Sequence, residues 1–212
     1  MNLVAFRKEY TFAGLRRSDL DENPILQFQE WFQQAVKAEV PEPTAMSLAT
    51  VNKLAQPSAR TVLLKAVDER GFIFCTNYDS RKGQELDENS NAAILFFWKE
   101  LERQVCIRGI TRKIPAEESD AYFKARPVGS QLGAWASQQS AVIDNRKTLE
   151  KRFQEVEQKY SGQQIPLPPN WGGYVLAPGT IEFWQGRVNR LHDRFCYTKQ
   201  RDGVWVIERL SP

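Results

Sequence analysis

The spacing of hydrophobic positions changes from helical to strand-like near residue 44. Between Asn23 and Pro41, apolar residues recur at helical spacing, which predicts an amphipathic helix with Asn23 as its cap and Pro24 in its first turn. Beyond that point the apolar runs become short and rich in β-branched residues. They predict strands over 46–51, 61–67, 72–76, 92–98 and 104–110.

A second group of predicted strands follows a helical middle region. We expect helices over 116–125 and 144–160, and strands over 173–176, 180–185, 190–198 and 204–208. Turn signals at 68–71 and 202–203 separate neighbouring strands. Because strands do not alternate with helices, the order favours a mainly β fold, an antiparallel barrel with peripheral helices. We expect one domain over 23–212, preceded by a polar, mobile arm over 1–22.

Composition and charge narrow the class of protein. The chain has 212 residues, 42% of them hydrophobic, and a net charge of +3. This allows a substantial core but gives too weak a basic bias for bulk nucleic-acid binding. No apolar run reaches the length of a membrane span, so we expect a soluble, cytoplasmic protein without membrane contact. The cysteines Cys75, Cys106 and Cys196 lack redox or metal-site spacing and are expected to be reduced thiols.

The single histidine, His192, stands between two arginines. In an extended strand, Arg190, His192 and Arg194 would share one face. Such cations repel each other by roughly 1 kcal/mol per close pair at an intermediate dielectric, so this face favours a bound anion. A solvated edge strand whose arginines pair with nearby carboxylates explains the run equally well when it is taken alone.

Two further cation pairs lie at the ends of predicted strands. Arg60 and Lys65 are five residues apart, which places them on opposite faces of a regular strand unless a bulge or the strand end turns one of them. Their separation of roughly 17 Å suits a long ligand with an anion at one end. Ser80 can cap a helix that opens with Arg81 and Lys82, and such a helix start can bind phosphate. Solvent-exposed cations are the alternative for both pairs.

Other polar residues could complete a site for a planar, anionic ligand. Gln104 can both donate to and accept from a heteroaromatic ring. Tyr122 and Arg126 share a helix face, with Ser130 beyond a turn, an arrangement that can hold a phosphate or serve in capping and packing. Trp184 precedes the histidine run, and a tryptophan there is more often core than ligand contact. The sequence has no metal-ligand cluster or glycine-rich nucleotide loop, which favours a bound cofactor as the source of chemistry.

Together these motifs closely resemble the pyridoxine/pyridoxamine 5′-phosphate oxidase family. The resemblance covers nearly the whole chain, and the order and spacing of the blocks are far more specific than any one block. The blocks are Arg7-Lys8-Glu9-Tyr10, 60–65, Ser80-Arg81-Lys82, Glu102-Arg103-Gln104-Val105, 126–140, Trp171-Gly172-Gly173, 181–186, 190–195 and Arg209-Leu210-Ser211-Pro212. Ala55, Cys75 and Gln138 depart from the residues that are usual there, and we expect the chemistry to be unaffected.

The resemblance implies a split-β-barrel homodimer that binds FMN at the subunit interface and has no metal. The implied FMN-binding residues are Arg60, Thr61, Val62, Leu63, Leu64, Lys65, Cys75, Thr76, Arg81, Lys82, Gln104, Gln139, Ser140, Trp184 and Arg194. The implied substrate-binding residues are Arg7, Lys8, Glu9, Tyr10, Lys65, Tyr122, Arg126, Ser130, Arg190, Leu191 and His192. Arg190 and His192 would be the catalytic residues, and the arm with Arg7 and Tyr10 would fold over the occupied site.

The implied reaction is oxidation of pyridoxine 5′-phosphate or pyridoxamine 5′-phosphate to pyridoxal 5′-phosphate. A hydride would pass from C4′ to the flavin, O2 would regenerate the flavin and yield H2O2, and the amine substrate would also release ammonia. Arg190 and His192 would orient the substrate and stabilise charge, and proton transfer by His192 is a hypothesis. Two other interpretations stay open. One is a different split-barrel flavoprotein, such as a flavin reductase-like or general stress protein, and the other is a non-catalytic carrier of FMN or pyridoxal phosphate.

Overall fold

Eight strands and five α-helices form the part of the chain that the computed structural model describes, residues 9–10 and 14–212. The strands are β1 (Ala45–Val51), β2 (Pro57–Asp68), β3 (Gly71–Asn77), β4 (Asn91–Trp98), β5 (Arg103–Lys113), β6 (Trp171–Gln185), β7 (Asp193–Lys199) and β8 (Trp205–Leu210). The helices are α1 (Pro24–Lys37), α2 (Arg81–Glu88), α3 (Ala116–Lys124), α4 (Val128–Ala136) and α5 (Arg146–Lys159). The predicted mainly β fold with peripheral helices is confirmed.

The first six strands close into an antiparallel barrel. They are hydrogen-bonded in the order β3-β2-β1-β4-β5-β6, and β3 also pairs with β6, so the sheet returns to its first strand. One edge of β6 pairs with β3 over residues 171–176 and with β7 over residues 180–185. β7 and β8 therefore extend the sheet beyond the closed barrel.

β6 is one continuous strand, whereas the sequence predicts two strands with a break at Pro178-Gly179. Arg108 pairs with Thr180 and Gly109 with Pro178, so Gly179 is the extra residue of a bulge. A bulge tolerates proline because one residue there is left out of the hydrogen-bond ladder. β6 thus runs without a break from its pairing with β3 to its pairing with β7.

Aromatic side chains fill the barrel and hold α1 against it. Phe28 and Trp31 on α1 are 1% and 2% exposed. The Phe28 ring lies 4.9 Å from the ring of Phe72 and 5.0 Å from that of Phe96, and the Trp31 ring lies 5.2 Å from that of Phe183. Full burial of one such side chain contributes roughly 1.5–3 kcal/mol. This packing accounts for the apolar stripe from which α1 is predicted.

The packed structure begins before α1. Leu15 and Leu20 are 6% and 8% exposed and belong to the main core, and the Tyr197 hydroxyl donates to the backbone oxygen of Asp21 at 2.7 Å. The prediction that all of 1–22 lies outside the core is therefore wrong for the segment around these leucines. Two isolated apolar residues in a polar stretch carry no periodic signal, which is why the sequence pattern does not reveal them. Residues 1–8 and 11–13 of the predicted arm lie outside the described residues.

The histidine run is not the extended strand that the sequence predicts. β7 begins at Asp193, and Val188–Arg190 forms a 3-10 turn in which Asn189 and Arg190 have φ angles of 56° and 60°. Two consecutive left-handed residues redirect the chain, so alternate side chains no longer share a face. The predicted common face of Arg190, His192 and Arg194 is wrong for this reason.

Helix α4 is not among the predicted elements. Pro127 occupies its N-cap position, and Ser130 lies in its first turn, where the sequence predicts only a turn and a new cap. Glycines make the stretch resemble a loop, since glycine is a poor helix former. The predicted helices α1, α3 and α5 are confirmed, with small shifts at their ends. None of the described helices combines the length and apolar character needed to span a bilayer.

Candidate functional site

A cavity of about 840 Å³ opens beside β2 and β3 and is closed on its far side by α3 and α4. It collects side chains that are far apart in the sequence. Among the predicted site residues, its walls contain Arg60, Thr61, Val62, Leu63, Lys65, Cys75, Thr76, Lys82, Tyr122, Arg126, Ser130 and Gln139. These residues lie on β2, on β3, on α2 and in the segment 122–139, so the fold brings most of the predicted site residues together.

Both faces of β2 reach the cavity, because the consecutive residues Arg60, Thr61, Val62 and Leu63 all line it. Exposure alternates along β2 as far as Lys65, so Arg60 and Lys65 stay on opposite faces of the strand although both line the cavity. Leu64 pairs with Phe74 and Ala66 with Ile73, which leaves Lys65 as the unpaired residue of a bulge. Leu64 is 7% exposed and packs in the core, so its side chain does not line the cavity.

The start of α2 supplies a second group of donors. Ser80 caps the helix as predicted, by accepting a hydrogen bond from a backbone amide of the first turn. The Lys82 ammonium donates to Thr76 Oγ1 at 3.2 Å, Ser80 Oγ at 3.3 Å and Gln139 Oε1 at 3.1 Å. Burial and the nearby charge of Arg60 lower the pKa of Lys82. An anion bound here would relieve both effects, because it favours the charged ammonium.

The opposite wall carries an arginine nitrogen without a partner. Arg126 follows α3, and its guanidinium lies 5.0 Å from the ring centre of Trp171 and 5.8 Å from that of Phe123. Its Nη1 atom is buried and has no hydrogen-bond acceptor in the described part of the chain. Burial lowers the pKa of Arg126. Leaving such a donor unsatisfied costs about 1–3 kcal/mol or more, so this wall is suited to an anionic ligand.

Tyr122, Ser130 and Cys75 surround that arginine in the cavity wall. Burial raises the pKa of Tyr122, and it raises the pKa of Cys75 to about 11. The phenol and the thiol are therefore both neutral near pH 7, and neither repels an anion. Cys75, together with Cys106 and Cys196, is a free thiol, as predicted.

A second group of predicted residues lies outside this cavity and forms an aromatic cluster. The ring centres of Trp184 and His192 are 4.6 Å apart, and the Tyr10 ring lies 5.6 Å from the first and 5.9 Å from the second. His192 Nδ1 accepts a hydrogen bond from the backbone amide of Arg187 at 3.1 Å. Burial and the charge of Arg190 lower the pKa of His192. The neutral ring therefore carries its proton on Nε2.

Arg194 is held by a carboxylate instead of standing free beside His192. Its guanidinium donates to both carboxylate oxygens of Glu182, at 2.7 Å and 3.1 Å, and to the backbone oxygen of Ser211 at 2.9 Å. The alternative interpretation, arginine paired with a carboxylate, is correct for this residue. Gln104, Trp184 and Arg194 are direct neighbours on β5, β6 and β7, so they form one row on one face of the sheet.

The two groups are separate within one chain. The cavity wall, among the described residues, does not include Gln104, Trp184 or Arg194. Trp171, which does line the cavity, begins β6, whereas Trp184 lies near the end of that strand. One chain therefore does not bring the row of Gln104, Trp184 and Arg194 to the wall of its own cavity.

The remaining predicted residues have varied positions. Arg190 and Leu191 are exposed in the turn before β7, and Ser140 is exposed with a φ of 73°. Glu9 is exposed, and Arg7 and Lys8 lie outside the described residues. The sequence does not predict individually the wall residues Asn77, Ala125, Pro127, Gly133, Ala134, Ser137 and Trp171. Of these, Trp171 has the clearest signal, because it opens a block that the family resemblance includes.

Two protein-family models match most of the chain. The model described as pyridoxamine 5′-phosphate oxidase matches residues 32–160, which include most of the cavity wall. The model described as the pyridoxine 5′-phosphate oxidase C-terminal dimerisation region matches residues 171–212, which include Trp184 and the histidine run. Trp184 and His192 of the aromatic cluster therefore fall in the part of the chain that matches a dimerisation region.

Relatives with similar sequences match over the full length. A pyridoxine/pyridoxamine 5′-phosphate oxidase of Acaryochloris marina is 58% identical and covers 97% of this chain and 94% of its own length. A protein of the same name from Paraburkholderia phymatum is 57% identical over 99% of both chains. The similarity thus includes the cavity and the C-terminal strands together.

Solved structures share the architecture. PhzG from Burkholderia lata, in complex with tetrahydrophenazine-1-carboxylic acid, has a TM-score of 0.90 and 32% identity and covers 97% of this chain and 100% of its own. A pyridoxamine 5′-phosphate oxidase-related, FMN-binding protein from Nostoc punctiforme has a TM-score of 0.70 at 16% identity, with 87% and 97% covered, and shares the fold. The predicted split barrel is confirmed.

Proposed function

Because the chain belongs to the pyridoxamine 5′-phosphate oxidase family, we propose that it oxidises pyridoxine 5′-phosphate and pyridoxamine 5′-phosphate to pyridoxal 5′-phosphate. One observation carries the proposal. A cavity holds two cation groups on different walls, Lys82 with Arg60 and Arg126 with Lys65. An enzyme that brings a phosphorylated flavin to a phosphorylated vitamer needs two such groups, one for each phosphate.

FMN is the cofactor that the donors fit. Its phosphate suits Lys82 and Arg60, which are near enough for the charge of Arg60 to lower the pKa of Lys82. Val62, Leu63 and Thr76 offer a mostly apolar wall for a flat ring system. The other proposed contacts to FMN are Thr61, Leu64, Lys65, Cys75, Arg81, Gln104, Gln139, Ser140, Trp184 and Arg194. Bound FMN supplies the redox chemistry, since it can take a hydride from C4′ and pass the electrons to O2 as H2O2.

The substrate phosphate is assigned to the wall opposite FMN's phosphate. The unpartnered Nη1 of Arg126 gains its missing acceptor there, and Lys65 adds a second positive charge. Tyr122 and Ser130 can donate hydroxyl hydrogen bonds to the same group. A vitamer without phosphate would leave the guanidinium unsatisfied, so this wall selects phosphorylated substrates.

The active site is composite and needs two subunits. Within one chain, Trp171 of the cavity wall begins β6, whereas Trp184 of the aromatic cluster lies near the end of that strand and does not line the cavity. Leu63 and Phe97 are 40% and 50% exposed on this face, which suits packing against a second copy. In the homodimer, the C-terminal region of each subunit completes the cavity of the other and brings Trp184, Arg194 and the histidine run to the flavin.

Arg190, Leu191 and His192 then meet the vitamer ring. Arg190 orients the substrate and stabilises negative charge, and the neutral His192 presents its Nε2 proton as a donor. Tyr10 packs on Trp184 and His192, so the segment with Arg7, Lys8 and Glu9 can cover the substrate and exclude water. With the amine substrate, water releases ammonia from the oxidised carbon.

A purified sample tests the proposal. We expect yellow protein with bound FMN that consumes O2 and forms H2O2 and pyridoxal 5′-phosphate when either phosphorylated vitamer is added. Unphosphorylated pyridoxine is the control and should react poorly, because Arg126 lacks its acceptor. Bound flavin that yields no peroxide with either vitamer would overturn the oxidase and indicate a carrier. Flavin that is reduced by NADH but not by the vitamers would indicate a flavin reductase-like protein.

A further inference from the structure

Glu85 on α2 is a buried carboxylate with four hydrogen-bond donors around it. Its side chain is only 5% exposed. Oε2 accepts from Thr50 Oγ1, from Ser58 Oγ at 2.5 Å and from Arg60 Nη2 at 3.0 Å, and Oε1 accepts from Arg81 Nε at 3.0 Å. One carboxylate therefore joins a cation of the cavity wall to a cation that lies outside that wall.

The two arginines are held in different ways. The terminal nitrogens of Arg60 donate to the backbone oxygen of Leu48 at 3.2 Å, to Thr50 Oγ1 at 2.6 Å, to Ser58 Oγ and to Glu85. These bonds use all four terminal N–H groups and fix the plane of the guanidinium, so Arg60 offers a phosphate its Nε–H and its positive charge. Arg81 gives Glu85 only its Nε, and its side chain is 68% exposed. The hydrogen bond thus anchors Arg81 by its inner nitrogen and leaves its outer nitrogens turned to solvent.

We propose that Glu85 is a positioning residue for the phosphate of FMN, because its carboxylate fixes Arg60 and Arg81 beside each other before the ligand binds. The inference rests on the proposed FMN site and goes beyond it, since Glu85 itself does not line the cavity. Arginines that are already oriented lose less side-chain entropy on binding, which makes the free energy of phosphate binding more favourable.

The protonation state of Glu85 supports this role. Burial alone would raise the pKa of Glu85, but hydrogen bonds from Ser58, Thr50, Arg81 and Arg60 outweigh it and lower the pKa to about 2. The group is therefore ionised throughout the neutral range. It accepts from both arginines at every pH at which FMN binding would be measured.

Two effects of Glu85 on a phosphate have opposite signs. Its negative charge repels the phosphate, whereas its hydrogen bonds orient the arginines that attract it. Glu85→Gln removes the negative charge and therefore the repulsion. It also leaves one side-chain oxygen to accept hydrogen bonds, and it places an amide NH2 group next to donors that it cannot accept from. If positioning dominates, FMN binds more weakly to this variant, and if repulsion dominates, FMN binds more tightly.

The test compares FMN with riboflavin, which has the same ring but no phosphate. Flavin is removed from the protein, and dissociation constants are measured from the quenching of flavin fluorescence. We expect Glu85→Gln to weaken FMN binding by about tenfold and to change riboflavin binding by less than about twofold. Glu88→Gln on the same helix is the matched control and should leave both constants unchanged. Equal or tighter FMN binding by Glu85→Gln, or an equal loss for both flavins, overturns the inference.

The wild-type protein separates this inference from the proposed function. If it binds FMN no better than riboflavin, the FMN site itself is wrong. If it prefers FMN and the variant keeps that preference, only the role of Glu85 is wrong. Should Glu85→Gln fail to fold, Ser58→Ala tests the same network, because it removes a donor to Glu85 and an acceptor for Arg60. We then expect Ser58→Ala to weaken FMN binding by less than about tenfold and to leave riboflavin binding nearly unchanged. An unchanged preference for FMN over riboflavin overturns the role of Glu85.

Discussion

Arg126 has a buried nitrogen that finds no acceptor among the described residues, and the proposed selection of phosphorylated substrates depends most on this residue. We expect Arg126→Gln to raise KM for pyridoxamine 5′-phosphate by about 10- to 100-fold while kcat falls much less, because the lost contact binds ground state and transition state alike. Steady-state oxygen consumption measures both constants. Lys124→Gln, an exposed change on neighbouring α3, should behave like wild type. A variant whose KM stays unchanged would place the phosphate elsewhere.

His192 is expected to control the acid side of the pH profile. Its pKa in the folded protein is lowered below the ordinary value of 6.5, by burial and by Arg190, so the neutral ring predominates at pH 7. The contribution of His192 to the free energy of unfolding is complete above pH 6.5 and is lost as the pH falls through the lowered pKa. We predict that kcat/KM is level above pH 7 and falls below pH 6.5, and that His192→Asn removes this fall and lowers the plateau. An identical acid limb in His192→Asn would show that another group titrates.

Single residues show where sequence reasoning succeeds and where it stops. Residue type and spacing make Arg60, Lys82 and Arg126 candidates and leave solvent exposure or packing open as alternatives, and the fold places all three in the wall of one cavity. That both faces of β2 reach this cavity is a property of the fold, which the sequence of β2 alone does not reveal. Glu85 carries no signal, since a glutamate on a short polar helix is ordinarily exposed.

At the level of elements, the start of α2, which carries Lys82, packs closely against the turn that follows β3. A Cβ added at Gly83 would lie 2.0 Å from the backbone oxygen of Tyr78, whereas a Cβ at Gly129 in α4 would meet nothing within 4 Å. We expect Gly83→Ala to destabilise the protein by about 1–3 kcal/mol and to weaken FMN binding, because α2 must move outward. Gly129→Ala is the matched control and should be neutral or stabilising by up to about 1 kcal/mol. Thermal unfolding measures the stability of both variants. Equal melting temperatures of Gly83→Ala and Gly129→Ala would contradict the tight packing at Gly83.

Elements are predicted well where the local pattern decides them. Strands of the barrel and helices α1, α3 and α5 follow from periodicity and caps. The turn at Val188–Arg190 does not, because its left-handed residues join β6 to β7, and the register of that pair, which begins with Gln185 opposite Asp193, is not visible in the local pattern. Likewise, the sequence of β6 suggests a break at Pro178 because the bulge opposite Gly109 is a property of two strands together.

At the scale of the whole molecule, the proposed active site depends on a second subunit. The cavity wall and the row of Gln104, Trp184 and Arg194 are separate within one chain, and residues 171–212 match a dimerisation region. Residue type and spacing indicate the two groups, and only the family resemblance implies that they meet at a subunit interface. The composite site is therefore the central claim about this protein.

Subunit complementation tests this claim most directly. Arg126→Ala damages the cavity group, and the double variant Arg190→Ala/His192→Ala damages the C-terminal group, so each homodimer should be nearly inactive. If the two groups meet across the interface, a mixed dimer has one intact site and one site with both defects. Unfolding and refolding an equal mixture gives half mixed dimers, so we predict recovery of about one quarter of wild-type activity. Activity that stays at the level of the separate variants, with mixed dimers demonstrated by mass, would show that each chain builds its site alone.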